Sequence, residues 1–177
     1  MGESQIIKDE AITSQNKNLL VVDDEILFLK ILEKMFQNHY NIKIATSGKE
    51  GLKVIQNGFR PAVIVSDQKM PEMTGSEFLE ETIKIVPEAI RVILTGISIP
   101  KEIINAISQA QAYMYLTKPI EEMSLIQSVR IAFDTFNAKI KNNQLNSEIN
   151  SLKKRLHNFQ DSSQPKKDQN DIIISLS

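Results

Sequence analysis

The chain of 177 residues has room for one compact domain of about 120 residues with extensions at its ends. Hydrophobic residues make up 41% and charged residues 24% of it, which excludes disorder as its overall state. The net charge of −1 gives no general attraction to nucleic acid or anionic lipid, and the absence of cysteine excludes disulfides, thiolate metal sites and thiol catalysis.

Residues 1–17 form a polar arm that we expect to be flexible. Acidic and basic residues are mixed in it, and it lacks the apolar stretch of a signal peptide. Nothing later approaches the run of about 18 apolar residues that a transmembrane helix needs. We therefore expect a cytoplasmic protein with no membrane or nucleic-acid partner, and the lack of cysteine fits a reducing compartment.

Two strand–helix units follow the arm. Residues 19–22 are a continuous apolar run, which is typical of a strand buried on both faces, and Asp23 ends it. From residue 26 to residue 36, apolar residues recur at every third or fourth position, as one buried helix face requires. Residues 42–45 then indicate a second strand, and the apolar residues of 52–55 indicate a second helix.

Three further units complete the pattern. Residues 62–66 are the most strand-like segment, and the loop after them leads into a helix with apolar residues between positions 78 and 85. Residues 91–94 indicate a fourth strand, and Pro100 fits the first turn of the helix that follows. Residues 112–116 indicate the fifth strand, with a further helix after it.

Five strand–helix units in strict alternation predict an α/β fold, a doubly wound five-stranded parallel sheet with right-handed crossovers. In such sheets ligands bind beyond the carboxyl ends of the strands, near the point where the strand order reverses. The polar residues just past the predicted strand ends are Asp23, Asp24, Asp67, Thr95 and Lys118. Loops of random composition would not be expected to collect this set, so the sequence predicts a site at that edge.

These side chains suit a phosphoryl group and a divalent cation. Three carboxylates repel one another unless a cation joins them, and a hard ion with oxygen ligands does so. Mg²⁺ fits better than Ca²⁺, because Mg²⁺ keeps several waters and needs only one or two carboxylates. The Lys118 ammonium can approach a phosphoryl oxygen or a free carboxylate, and the Thr95 hydroxyl can donate one hydrogen bond.

The chain resembles the receiver domain of bacterial response regulators over residues 18–138, which implies a flavodoxin-like fold. The motifs that agree stand in the family's order at successive strand ends: Asp23-Asp24, Asp67, a loop with Met70, Pro71 and Gly75, then Thr95-Gly96, Tyr115 and Lys118-Pro119. Each motif alone is more often a turn, a helix cap, a loop or a core residue. Their joint occurrence in this order favours the resemblance.

The resemblance implies that Asp67 is a phosphoacceptor. Its carboxylate would attack the phosphorus of a phosphohistidine on a partner histidine kinase or phosphotransfer protein. Asp24, Asp67 and the backbone carbonyl of Lys69 would hold Mg²⁺, with Asp23 in support. The role of the Lys69 side chain stays open between a contact to the phosphoryl group, a barrier to water and an ordinary solvent-exposed lysine.

The resemblance also implies a conformational switch. Lys118 and Thr95 would bind phosphoryl oxygens, and the inward movement of Thr95 would leave space that the ring of Tyr115 can fill. Phosphorylation would then shift an existing equilibrium on the face formed by the fourth helix, the fifth strand and the fifth helix. We expect the signal to reach a downstream protein target.

Two other interpretations of the site stay open. Hydrolases that form an aspartyl phosphate also combine an acceptor aspartate, a hydroxyl, a lysine and Mg²⁺. Their nucleophile normally follows the first strand and has a second aspartate two positions on, whereas here Asp67 follows the third predicted strand and Lys69 occupies that position. The other interpretation is a receiver-like scaffold that is never phosphorylated, although every group that phosphorylation needs is present.

After the fifth strand the pattern stays helical over residues 121–160, farther than a receiver can cover. Two apolar seams follow one another: Ile126, Val129, Phe133, Phe136 and Ile140, then Leu145, Ile149, Leu152, Leu156 and Phe159. The second seam has the spacing of a coiled coil, and the five-residue step between the seams indicates a hinge or a helix end. We favour a homodimer through a helical extension at 139–160 over one helix that folds back on the domain.

The rest of the C-terminal region is less informative. Lys153-Lys154-Arg155 is either a nucleic-acid patch or, as we favour on a coiled coil, a solvated face. Residues 161–177 are expected to be disordered, and Ile172-Ile173-Ile174 stays undecided between a partner-binding segment and the edge of another element. No common output domain fits after residue 160, so we expect output by protein–protein contact unless the chain is part of a longer protein.

Overall fold

The computed structural model of the chain describes residues 16–96 and 110–162, with side chains through residue 159. Most of the predicted arm, the helix expected after Pro100 and the tail from residue 163 lie outside the described residues. In chain order the elements are β1 (Asn18–Val22), α1 (Ile26–Phe36), β2 (Asn41–Ala45), α2 (Gly48–Gln56), β3 (Val63–Asp67), α3 (Gly75–Ile85), β4 (Ile90–Thr95), β5 (Met114–Thr117) and α4 (Glu122–Ser162).

The strands form one sheet in the order β2-β1-β3-β4-β5, and every pair of neighbours is parallel. This confirms the predicted five-stranded parallel sheet with the flavodoxin-like order. Strand β1 pairs with β2 on one side and with β3 on the other, so the strand order reverses between β1 and β3. The crevice at their carboxyl ends is therefore where a ligand site is expected.

Both faces of the sheet are buried, because alternate residues of the central strands point to opposite sides. On one face Val21 belongs to a core that includes Val129 of α4 and residues of α1. On the other face Val22 belongs to a core that includes Phe78 of α3 and residues of α2. Burial on both sides explains why β1 and β3 are continuous apolar runs in the sequence.

The helices that flank the crevice begin at well-defined caps. The Ser47 hydroxyl accepts a hydrogen bond from the Glu50 N–H at the start of α2. At the start of α3, the Thr74 and Glu77 side chains each accept from the other residue's backbone N–H, which is a capping box. The cap fixes the beginning of α3 only a few residues after Asp67, so it also fixes the end of the loop between them.

A buried cation, Arg91, lies at the start of β4, where the sequence pattern indicates only a strand. Its guanidinium donates hydrogen bonds to the Thr82 hydroxyl and to the carbonyls of Ala89 and Val86. Burial lowers the pKa of Arg91 to about 10, although the charge of Glu88 acts in the opposite direction. These bonds attach the end of α3 to β4 at the edge of the sheet away from the predicted site.

The last helix, α4, runs without interruption from Glu122 to Ser162. Of the two expectations for the step between Ile140 and Leu145, the helix end is therefore wrong, because the polar residues there contain no glycine or proline that would stop a helix. The hinge stays a prediction. The chain divides into two compact units, one up to Lys141 and one from Asn142. Within the described ranges, α4 included, no helix combines the length and apolarity that a bilayer crossing needs.

Candidate functional site

Four of the predicted site residues lie at the carboxyl edge of the sheet. Asp23 directly follows β1, Asp67 ends β3, Thr95 ends β4 and Lys118 directly follows β5. The registers of the strands bring these ends to the same level, because Asp67 pairs with Leu94 and Thr95 with Thr117. Residues from four distant stretches of sequence thus meet at the crevice that the strand order predicts.

Lys118 joins the two buried carboxylates. Its Nζ lies 2.7 Å from Asp23 Oδ2 and 2.6 Å from Asp67 Oδ1. Asp23 is 1% exposed and Asp67 is 6% exposed, so both carboxylates depend on this ammonium for charge compensation. The Lys118 ammonium also lies 4.7 Å from the centroid of the Phe28 ring, a cation–π contact.

The Asp67 carboxyl and the Lys118 ammonium each affect the pKa of the other. Burial raises the pKa of the Asp67 carboxyl and the charge of Asp23 raises it further, while the hydrogen bonds from Lys118 and the Lys69 N–H act against this. Burial would lower the pKa of the Lys118 ammonium, but its bonds to Asp23 and Asp67 outweigh burial and raise that pKa. The lysine is thus held in its protonated form between two carboxylates.

The loop after β3 holds the Asp67 carboxylate in place. Asp67 Oδ2 accepts a hydrogen bond of 2.5 Å from the backbone N–H of Lys69. The Gln68 N–H donates to the Leu94 carbonyl of β4 at 2.8 Å, and the Gly75 N–H donates to the Gln68 carbonyl at 3.0 Å. The start of the loop is therefore bonded to β4, and its end is bonded to its start.

The buried side chain of Gln68 ties the same loop to α3. Its Oε1 accepts from the Ser76 N–H at 3.1 Å and from the Ser76 hydroxyl at 2.8 Å, which satisfies one of the free N–H groups in the first turn of α3. Sequence reasoning missed Gln68, Ser76 and Phe28. A glutamine in a polar loop carries no periodic signal, and only the folded chain shows that it caps a helix.

Gly75 lies against the main chain of Asp67. A Cβ built on Gly75 would come 2.2 Å from the carbonyl oxygen of Asp67 and 3.0 Å from the Cα of Gln68. No side chain fits there unless the backbone moves, which explains why glycine is needed at this position. In the sequence Gly75 is one member of a motif, and the structure supplies the physical reason for a glycine there.

The residues predicted to bind Mg²⁺ supply oxygen ligands and negative charge. The available donors are carboxylate oxygens, which suit a hard ion, and Asp23, Asp24, Asp67 and Lys118 carry a formal charge of −2, from three carboxylates and one ammonium. Asp24 is exposed. Within residues 16–96 and 110–159, no three His, Cys, Asp or Glu side chains are arranged to share a metal ion. In this arrangement the Lys118 ammonium supplies the positive charge between Asp23 and Asp67.

The two predicted switch residues lie on neighbouring strands. Thr95 is buried, and its hydroxyl makes a long contact of 3.5 Å to the carbonyl of Gly96. Tyr115 is 56% exposed, and it pairs in register with Ile93 of β4. The backbone N–H of Lys118 donates to the Thr95 carbonyl at 2.6 Å, so the ends of β4 and β5 are joined beside the site.

The side chain of Lys69 contributes less to the geometry than its backbone does. The residue is exposed, and its N–H rather than its ammonium contacts Asp67. The predicted role of its carbonyl as a metal ligand and the possible effect of its side chain on a phosphoryl group stay predictions.

Comparison with known proteins gives consistent similarities. The family model described as the response regulator receiver domain matches residues 19–130. The hydrogenase transcriptional regulatory protein HoxA of Cupriavidus necator is 31% identical over 124 residues, which are 70% of this chain and 25% of that protein. The transcriptional regulatory protein GlrR of Escherichia coli is 34% identical over 119 residues, which are 66% of this chain and 26% of that protein. This chain thus spans about a quarter of the length of these relatives.

A solved structure shows the same fold. The response regulator receiver domain protein (CheY-like) from Methanospirillum hungatei is 28% identical, with a TM-score of 0.66. The match covers 71% of this chain and 99% of that one. The similarity therefore includes the whole of that domain.

Proposed function

Because this chain belongs to the response regulator receiver domain family, we propose that Asp67 accepts a phosphoryl group from a histidine kinase or phosphotransfer protein. The observation that carries the proposal is the contact of one ammonium, that of Lys118, with both Asp67 and Asp23 at the carboxyl edge of the sheet. Family members are signalling domains, and any catalysis by this chain is limited to its own phosphorylation and dephosphorylation.

In the proposed reaction an oxygen of the Asp67 carboxylate attacks phosphorus. A new P–O bond forms while the P–N bond of the phosphohistidine breaks, and the electron pair of the broken bond stays on the imidazole nitrogen. The transition state of such transfers is loose, so the site acts mainly by positioning the groups and neutralising charge. The Lys69 N–H and the Lys118 ammonium orient the carboxylate.

We assign Mg²⁺ to the same edge of the sheet. Asp24, Asp67 and the carbonyl of Lys69 would hold the ion, with Asp23 in support, and the bound ion would offset negative charge on the phosphoryl oxygens. The formal charge of −2 on the local side chains favours a divalent cation there.

The proposed signal passes from Asp67 to the exposed ring of Tyr115. The phosphoryl oxygens would be bound by Lys118 and by the hydroxyl of Thr95, which now makes a long contact to the carbonyl of Gly96. When Thr95 turns toward the phosphoryl group, the ring of Tyr115, now 56% exposed, can turn inward. The change alters the surface that a downstream protein target would recognise.

The proposal also includes the cellular compartment and the oligomeric state of the chain. We propose that the chain works in the cytoplasm, which the absence of cysteine supports. We also propose a homodimer through the part of α4 from Asn142 onward, because the apolar seam there is exposed.

Incubation with Mg²⁺ and a small phosphodonor, followed by intact mass measurement, tests the central proposal. The wild-type chain should gain the mass of one phosphoryl group, and Asp67→Asn should gain none. Asp134→Asn, an exposed aspartate on α4, is the matched control and should behave as wild type. Turnover of the donor without accumulation of the modified chain would favour the hydrolase, and no modification of wild type would favour the unphosphorylated scaffold.

A further inference from the structure

The part of α4 from Asn142 onward carries an apolar seam on its surface. Leu145, Ile149, Leu152, Leu156 and Phe159 are between 46% and 71% exposed. In the first part of the same helix, Leu125 and Val129 are buried in the core beside the sheet. A continuous row of large exposed apolar side chains marks a surface that another molecule covers.

The spacing of the seam indicates which kind of molecule fits it. Its steps along the sequence alternate between four and three residues, which places Leu145, Leu152 and Phe159 at the d positions of a heptad repeat. Ile149 and Leu156 then occupy a positions. A β-branched residue at a with leucine at d, as at Ile149 and Leu152, favours two strands. Since such a seam interdigitates with a copy of itself, a second copy of this chain is a complementary partner.

The same heptad frame places Asn142 at the a position that precedes Ile149. A single asparagine at an a position of a parallel pair lies opposite its own copy, where the two amides can bond to each other and so select register and number of chains. In an antiparallel pair a positions face d positions, and Asn142 would lie opposite the ring of Phe159. That arrangement buries an amide without a partner, so Asn142 favours the parallel pair.

The charges beside the seam are complementary in the parallel arrangement. Glu148 occupies a g position and Lys153 the e position of the next heptad. In a parallel pair in register, g of one chain faces that e of the other, so Glu148 of each chain would lie beside Lys153 of its partner. Both residues are exposed in the single chain and are therefore accessible for such pairs.

We propose that residues 142–159 pair with the same segment of a second copy of this chain, parallel and in register, with Asn142 facing its own copy. The proposal specifies the homodimer of the preceding section and rests on it, but it does not depend on phosphorylation of Asp67. The segment holds little more than two heptads, so the pairing is weak and depends on concentration.

Disulfide cross-linking tests the arrangement, because the chain has no cysteine of its own. Leu145→Cys and Leu156→Cys each place one thiol in the seam, and Lys154→Cys places one on the outer face as a matched control. In the parallel pair, each seam variant of the full-length chain should form a covalent dimer by itself, several-fold faster than the control. An antiparallel pair would cross-link only in a mixture of the two seam variants, and that result would overturn the proposal.

A second measurement distinguishes a chain that does not form the proposed dimer from a cysteine variant whose substitution has itself disrupted the dimer. Asn142→Ile replaces the polar a residue by an apolar one and should strengthen dimerisation at least about tenfold, as followed by light scattering over a concentration series. If residue 142 lay on a solvated face of a single helix, the substitution would leave the mass unchanged, which would also overturn the proposal. Phosphorylation of each variant is measured in parallel, so failure of the receiver function would be visible independently of cross-linking.

Discussion

Substitution of Gly75 by alanine should disturb the acceptor directly, because the added Cβ would lie 2.2 Å from the carbonyl oxygen of Asp67. Real Cβ atoms essentially never come within 3.0 Å of another heavy atom, so the loop or the start of α3 must move by about 0.8 Å or more. The clashing atom belongs to the backbone, so a rotation about side-chain bonds cannot relieve the clash. Overpacking of this kind costs about 1–3 kcal/mol, and the better helix propensity of alanine recovers part of it.

We therefore expect Gly75→Ala to lower the free energy of unfolding by about 1–2 kcal/mol and the Tm by roughly 4–10 °C. The rate of phosphorylation should fall roughly 10- to 100-fold, because a displacement of this size at a reacting group has that effect. Urea unfolding and the time course of mass gain with a small phosphodonor measure the two quantities.

Gly58→Ala is the matched control for this prediction. Gly58 has a φ of +100°, and no atom lies within 4 Å of a Cβ built on it. The control should therefore lose about 1 kcal/mol through backbone strain, yet keep the wild-type rate of phosphorylation, since it lies in the loop before β3. An unchanged rate in Gly75→Ala, or an equal loss of rate in both variants, would refute the reasoning.

Three other outcomes follow from the structure. Because burial raises the pKa of the Asp67 carboxyl above 3.8, the contribution of this group to stability should fall as the pH rises from that value. Asp67→Asn should therefore gain stability relative to the wild type between pH 3 and pH 7, as measured by urea unfolding. Arg91→Ala should lower the free energy of unfolding by about 2–4 kcal/mol, because it leaves a cavity and removes one donor each from the carbonyls of Ala89 and Val86, while the folded fraction should still be phosphorylated at the wild-type rate. Glu148→Lys should weaken dimerisation about tenfold, as measured by light scattering, and addition of Lys153→Glu should restore it. As a control, addition of Lys154→Glu should have little effect. A double variant with Lys153→Glu that dimerises as weakly as Glu148→Lys alone would contradict parallel pairing.

The fold and the location of the site were predictable because both depend on short-range patterns. Strands buried on both faces are mostly apolar, and Asp23 and Asp67 each follow such a run, so both could be placed at one edge of the sheet before any contact was known. The alternation of strands and helices then implied parallel pairing.

The contacts inside the site could not be predicted in the same way, because they depend on side-chain packing between distant segments. The sequence indicated that the Lys118 ammonium can approach a free carboxylate, and the structure has it between two of them, Asp23 and Asp67. The cluster of carboxylates around Mg²⁺ stays a prediction. The cap that Gln68 provides for α3 depends on a loop conformation that no periodic pattern encodes.

The contacts of Lys118 also explain how a change at the acceptor can reach one edge of the sheet rather than the other. Its ammonium is shared between Asp23 and Asp67, and its backbone N–H is bonded to the Thr95 carbonyl at the end of β4. A phosphoryl group on Asp67 adds negative charge and draws the ammonium away from Asp23. Because Lys118 directly follows β5, this movement acts on the pair formed by β4 and β5, where the ring of Tyr115 is exposed. The opposite edge of the sheet, β2, contributes no residue to these contacts, so we expect the structural response to appear at β5.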